Sequence, residues 1–399
     1  MNYTKSIKIK NITRSKDRRG SILSIVDEQV KNVSIITCLP KTIRSNHSHK
    51  KDWHYMYVLE GIMEYFFVIK NKTYFMRIKK GENVLGLRAD IDALPIKEET
   101  NLDFKSSNGN MHACGHDGHV AMMLVSLKHI NSKKDEFAGT LKVIFQPAEE
   151  EIGGAKVMIE QRPEFFSDLT HIFGFHIWNQ IDLGKIAFND STVFVSADTF
   201  EIELFGKGGH GAMPHLNIDP IFIAANLIVS AQSIVSRRKN PGKLGVITFG
   251  KIDGGSAANI TPKSVKLMGT IRAQDKEIRE FLINELEALV ENLPKSFGGT
   301  GEFIKTSGTG PVINNKTFAN QVYSIADEIF GDNTSIKVDP VSVADDMSEF
   351  MDLAPSVYAL LGGKKDNSEM HHNSKFDFDE KCLSYGIEFI NNLIFKILI

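Results

Sequence analysis

Cysteine and tryptophan are scarce in this chain, with 3 and 2 copies in 399 residues. Cys38, Cys114 and Cys382 are odd in number and irregular in spacing, which excludes the framework of a disulfide-stapled secreted domain. A surplus of charge is missing too. Lys and Arg number 47 against 49 Asp and Glu, a formal net charge of −2, so nothing draws the chain as a whole toward nucleic acid or an anionic bilayer. No stretch approaches the roughly 20 apolar residues that span a membrane. The opening ten residues are basic but lack the apolar stretch of a secretory signal. A free thiol suits a reducing compartment. The expectation is a cytoplasmic protein with no nucleic-acid or membrane partner.

What is present is length and an ordinary globular composition, 42% hydrophobic and 24% charged, with material for two or three domains. Short β-branched or aromatic segments at 33–38, 55–59, 63–69 and 74–78 are broken by polar turns and read as strands. From residue 81 strands alternate with helices. Residues 84–89, 140–145 and 171–175 read as strands, and 120–130 and 152–161 as helices, the pattern of a sheet covered by helices. Residues 195–306 carry the order β-α-β-β-α-β of a split βαβ, ferredoxin-like unit. Alternation then resumes, with helices at 318–329 and 382–395 around a strand at 357–361. The expected division is 1–75, 76–194, 195–306 and 307–399, with the third part inserted into a catalytic domain made of the second and fourth.

The chemistry concentrates in Met111-His-Ala-Cys-Gly-His-Asp-Gly-His119, which holds one cysteine and three histidines. Cys114 and His116 flank a glycine, so a tight backbone turn brings both side chains to one point. A thiolate and imidazoles suit Zn²⁺ or a similar transition metal, and carboxylates add a hard ligand and a base. Glu149 and Glu150 follow a strand and a proline, at the strand end where open α/β sheets place their sites. One could bind metal while the other takes a proton from water; a solvated acidic helix start is the alternative. His176 ends another apolar strand, and His371 and His372 lie in a polar turn. Singly each is an ordinary histidine; at the ends of strands in one sheet they imply a metal-dependent hydrolase. His210 lies among glycines that permit close approach to a ligand, and is either a turn residue or an oxyanion donor.

Five further segments run collinear with this motif: Leu87-Arg-Ala-Asp-Ile-Asp-Ala-Leu-Pro95, Phe145-Gln-Pro-Ala-Glu-Glu150, Gly154-Ala-Lys156, Gly208 to Pro214, and Asn259-Ile-Thr-Pro262. With it they make the chain from about residue 81 onward resemble the hippurate hydrolase, aminoacylase and indole-acetyl-amino-acid hydrolase family of metallo-amidohydrolases. The resemblance implies an α/β, zinc-peptidase-like catalytic domain with a mixed sheet, a ferredoxin-like lid that mediates homodimerisation, and two divalent ions. Those ions would be Zn²⁺ or Mn²⁺, with Co²⁺ and Ni²⁺ as further candidates. Carried over, the ligands are Cys114, His116, Glu150, His176 and His372, the last chosen because it stands four residues before Phe376. Glu149 is then the base, Asp92 a ligand-orienting carboxylate, His210 the oxyanion donor, and Asn259 and Arg272 contacts for a small N-acyl substrate.

Three features depart from that family. Its opening helix with an Arg-Arg…His…Pro-Glu motif is absent, and residues 20–70 resemble the first half of a sugar-nucleotide ketoisomerase-like cupin, with His47 and His49 as its metal pair. Glu-Asp-Phe becomes Asp345-Asp346-Met347, and Asn-x-Ile-Pro becomes Asn259-Ile-Thr-Pro262. The segment 70–90 is expected to join the catalytic sheet as a hairpin. Hydrolysis of an N-acyl amino acid is the leading expectation. Deacetylation of an amino-sugar precursor of surface polysaccharide, or an inactive fusion, are the alternatives.

Overall fold

A computed structural model of the chain describes residues 83–398 apart from 134–135, 137–138 and 151–152, and, before residue 83, the backbone of five strands. Chain contacts divide it into two units, Met1–Lys80 and Gly81–Ile399. In the first, β1 (Asn11–Asp17), β2 (Gly20–Val26) and β3 (Val33–Ile36) form an antiparallel meander. β4 (Ile62–Ile69) and β5 (Lys72–Lys79) form a hairpin with Ile62 opposite Lys79. His47, His49 and the strand expected at 55–59 lie outside the described residues.

The second unit opens with β6 (Val84–Asp90), α1 (His116–Ser132), β7 (Thr140–Gln146), α2 (Gly154–Gln161), α3 (Pro163–Phe166) and β8 (His171–Trp178). It continues through β9 (Ile186–Phe188) and β10 (Thr192–Phe194), and resumes after residue 309 with β17 (Val312–Ile313), α6 (Lys316–Phe330), β18 (Ser335–Lys337), α7 (Met347–Phe350), β19 (Ser356–Gly362) and α8 (Lys381–Leu398). Six of these strands make one mixed sheet in the order β18-β9-β19-β8-β6-β7, parallel except where β19 meets β9. β6 therefore has β7 and β8 on its two sides, and β5 pairs with β4. The hairpin expected over 70–90 does not form, because the β-branched pattern of 74–78 marks a strand without naming its partner.

Alternation sorts the strand side chains. Leu85, Leu87, Phe173, Phe175 and Val357 pack on one face against Met122 and Met123 of α1, Phe318 and Val322 of α6, and Phe389 and Leu393 of α8. Val84, Ile172, Tyr358 and Leu360 face the other way, against Ala155, Phe166 and Phe350.

Between β10 and β17, β11 (Ser196–Phe205), β13 (Gly245–Gly254), β15 (Ser264–Ala273) and β16 (Thr300–Thr309) build an antiparallel sheet in the order β13-β15-β11-β16. β11 alternates buried and half-buried along nearly its whole length. Its inner face meets α4 (Pro220–Ser233) and α5 (Lys276–Asn292). Each helix starts on a capping aspartate: Asp219 accepts from the Ile221 N–H and Asp275 from the Ile278 N–H, each at 2.9 Å. On α5, Ile278, Leu282, Leu286 and Val290 recur every fourth residue and are buried. Each such side chain contributes roughly 1.5–3 kcal/mol when fully buried. A short ladder of β12 (Gly209–His210) and β14 (Ile260–Thr261) stands apart from this sheet. Pro220–Arg238 is long and apolar enough to pass as a membrane span by length and composition, at mean hydropathy 1.3. It lays Ile223, Ala224, Leu227 and Ala231 on the sheet core.

Candidate metal centre

All five expected ligands meet at the ends of β7 and β8 and the start of α1. Gly115, with φ +86, caps α1 in a left-handed turn, and this turn points both Cys114 and His116 into the site. Ligand atoms of Cys114, His116 and His176 lie within 4.8 Å of one another, and so do those of Cys114, Glu150 and His372. Cys114 thus belongs to two triads. Its Sγ is 3.3 Å from His176 Nε2, and His372 Nε2 is 3.3 Å from Glu150 Oε2. His372 reaches in from a turn with φ +65, held by its N–H donating to the Ala113 carbonyl at 2.8 Å.

The donor set fits a cation. His116 Nε2 and Glu150 Oε1 are buried and make no hydrogen bond with any described residue, an unusual cost for polar atoms unless something else satisfies them. Burial, then the carboxylates of Glu150 and Glu149, push the Cys114 thiol well up. Burial opposes charge on His116, but Asp90 and the hydrogen bond to Asp92 outweigh it and hold His116 up at about 9. Buried His176 is pushed well down and is neutral, as an imidazole ligand must be.

Glu149 stands beside this set, its carboxylate within 4.8 Å of ligand atoms of His116 and Glu150 and, on another side, of Asp345 and Asp346. Burial, then Asp345, push it well above the usual carboxylate range. Asp92, the orienting carboxylate implied by the resemblance, lies between two of the candidate ligands. Its backbone oxygen is 3.1 Å from His116 Nδ1, and its Oδ2 accepts from the Glu150 N–H at 3.0 Å. His210 is not drawn into the ligand clusters. His210 is exposed on β12, its Nδ1 accepting from the Ala212 N–H at 3.1 Å, while Asn259 is exposed and Arg272 half-buried on β15.

Sequence reasoning missed the groups behind the ligands. His119 bonds the Asp90 carboxylate through Nδ1 and accepts the Ile177 N–H at Nε2, 2.8 Å away. The Ile177 carbonyl accepts from His176 Nδ1 at 2.7 Å and from His371 Nε2 at 3.0 Å. One carbonyl thereby fixes the ring of a candidate ligand and the histidine beside it. Asp90 also pairs with Arg88 at 2.7 Å, and both are fully buried. Arg88 further meets Asp345 at 3.1 Å, Asp346 at 3.3 Å and the Tyr358 hydroxyl at 3.2 Å. Gly174 lies between Arg88 and Tyr358 in register, and a Cβ there would stand 2.8 Å from the Tyr358 ring. Its bare backbone lets Tyr358 cross a strand to reach Arg88. The available signal was two charges, Arg88 and Asp90, on one face of a strand that is otherwise apolar.

A mixed α/β sheet with a cysteine, histidines and paired glutamates at its strand ends is the site of a metal-dependent hydrolase. Residues 86–396 match Peptidase family M20/M25/M40, and the chain belongs to that family and is an amidohydrolase. It is 36% identical over 318 residues to thermostable carboxypeptidase 1 of Saccharolobus solfataricus, covering 78% of this chain and 80% of that protein. It is 34% identical over 328 residues to hippurate hydrolase of Campylobacter jejuni, covering 80% and 84%. Among solved structures it resembles a dinuclear metal-binding M20 peptidase of Bacillus subtilis, with TM-score 0.69, 28% identity and 79% and 82% coverage.

Proposed function

We propose that the protein hydrolyses the amide bond of N-acyl amino acids, with two divalent ions held by Cys114, His116, Glu150, His176 and His372. The observation that carries this is the pair of ligand triads sharing Cys114, with the Glu149 carboxylate alongside. Zn²⁺ or Mn²⁺, with Co²⁺ and Ni²⁺ as further candidates, would supply a lowered pKa for water and a Lewis acid for the carbonyl oxygen. Glu149 takes the proton of the attacking water and delivers it to the departing amine nitrogen. Its raised proton affinity suits both halves of that transfer. Hippurate is an N-acyl glycine, and a carboxypeptidase cuts beside a free carboxylate. An amine product bearing a carboxylate is therefore the substrate class the relatives support, with Arg272 and Asn259 as its contacts. With Zn²⁺ or Mn²⁺ supplied, a panel of N-acyl amino acids should release free amino acid, and a chelator should stop it. A fully loaded protein that cleaves none of the panel would sink the proposal.

The proposal includes an inserted lid over 195–306, homodimerisation through it, and a cytoplasmic location. Exposed Phe222 and Val229 on α4 support pairing of lids. His210, outside the ligand clusters of its own chain, would donate to the oxyanion of the partner's substrate. His210→Ala should lower kcat roughly 10²–10³-fold with metal content unchanged. Mixing it with Glu149→Ala protein should restore partial activity in mixed dimers; no recovery argues for action within one chain.

Metal uptake should also release protons. At neutral pH, without metal, the buried Cys114 thiol is protonated, and His116 at about 9 carries a proton. Loading must expel about two protons, so affinity falls as pH falls. Calorimetric titration in buffers of different ionisation enthalpy reads this number. Loading without proton release would remove Cys114 from the ligand set.

A further inference from the structure

The segment that carries Glu149 and Glu150 leaves β7 at Gln146 and runs into the first turn of α2, where Ala155 is the second residue. Both points are bonded to one carboxylate, 200 residues beyond Gln146 and 191 beyond Ala155. Asp346 Oδ1 accepts from Gln146 Nε2 at 2.6 Å, and Asp346 Oδ2 accepts from the Ala155 N–H at 2.9 Å. Arg88 closes the ring, donating from Nε to Gln146 Oε1 at 2.8 Å and from Nη2 to Asp346 Oδ1 at 3.3 Å. Gln146, Asp346 and Arg88 are all buried.

The described backbone between those points is tightly drawn. Ala148 has φ +54, a conformation that strains a residue with a Cβ unless its surroundings hold it. The Gly154 N–H reaches the Ala148 carbonyl at 3.3 Å, and a Cβ on Gly154 would stand 1.8 Å from the Pro147 carbonyl oxygen. Partway along, the Glu150 N–H donates to Asp92 Oδ2 at 3.0 Å.

The donors leave a single consistent arrangement. Arg88 can only donate, so Gln146 must turn Oε1 toward it and Nε2 toward residue 346. Nε2 can only donate, as can the Ala155 N–H, so residue 346 must present two acceptors at once. A carboxylate does this; the amide of asparagine offers one acceptor, and flipping the Gln146 amide would only move the conflict to Arg88.

We propose that Asp346 is a positioning residue for hydrolysis: its carboxylate fastens both ends of the segment bearing Glu149 and so fixes where Glu149 stands beside the ligand set. This rests on the reading of Glu149 as the base. Asp346 does not touch the reacting atoms and acts through Glu149.

Asp346→Asn should lower kcat roughly 10²-fold, the scale of a catalytic group displaced by about an ångström, with KM little changed. In a Glu149→Ala background the same substitution should cost no further kcat, because the group it positions is gone. An equal fold-loss in both backgrounds overturns the proposal. A second readout needs neither metal nor substrate. In the metal-free full-length protein, hydrogen exchange at the amides of Glu149, Glu150 and Ala155 should be roughly tenfold faster in Asp346→Asn, with β8 and α8 unchanged. Unchanged exchange at those three amides, or acceleration spread evenly over the sheet, overturns it. Should Asp346→Asn fail to fold, Gln146→Met removes the same bond from its other end and should give the same local exchange. If the wild type cleaves no N-acyl amino acid, the base assignment fails while the exchange result still decides whether Asp346 holds the segment.

Discussion

Glu149→Ala should abolish most hydrolysis while leaving both ions in place. The loss of a general base typically costs about 10²–10⁴-fold in rate. The geometry makes the separation clean. Glu150, not Glu149, shares a triad with Cys114 and His372, and the Glu150 N–H is tied to Asp92 independently of the neighbouring side chain. Removing the Glu149 carboxylate also takes one buried acid away from Asp345, so the fold should not suffer. The measurements are kcat with saturating metal, and metal content by elemental analysis. Near-full activity would mean the base is elsewhere. Loss of metal instead of rate would mean that the two glutamates have exchanged roles.

The second large effect is on stability. Arg88→Met should cost about 3–5 kcal/mol, the usual result of leaving buried charges without their partner. Arg88 is the shared cation of Asp90, Asp345 and Asp346, all three of them 4% exposed or less. Burial, and then the neighbouring Asp345 carboxylate, push Asp346 up to about 6 even with Arg88 in place, so without Arg88 these acids must take up protons or draw water into the sheet. Against a total stability of typically 5–15 kcal/mol that is a large fraction. The denaturant midpoint should fall with little change in slope. Arg88→Lys should recover only part, since one ammonium cannot make the separate bonds to Gln146, Asp90, Asp345 and Tyr358. An Arg88→Met protein with an unshifted midpoint would show that the carboxylates are solvated.

The parts of this architecture legible in the sequence are those with a local signature. β8 is a largely apolar run, α5 repeats every fourth residue, and β11 alternates, so each announces its type. β9, β10 and β18, at three residues each, are too short to show a period. The ligand motif stood out because residue types that hold metals crowd into nine positions. The carboxylate ring around Arg88 did not, because its members are up to 258 residues apart and nothing in the text near Asp345 or Asp346 points back to β6. Strand pairing failed for the same reason at 70–90, where the pattern gives the face of each strand but not its neighbour.

The sheet order has a consequence for how the chain is made. β19 lies between β8 and β9, yet it is synthesised some 170 residues after them, once the whole of Ser196–Thr309 has left the ribosome. The four-stranded unit has all its strands and both helices early and can order on its own sequence. The six-stranded sheet must wait with a gap at its middle and two open strand edges, the condition in which nascent chains are most exposed to wrong pairing. His372 arrives later still. A newly made molecule can therefore hold a finished peripheral sheet, with Cys114, His116 and Glu150 already in the chain, before the central strand exists to bring its last ligand home.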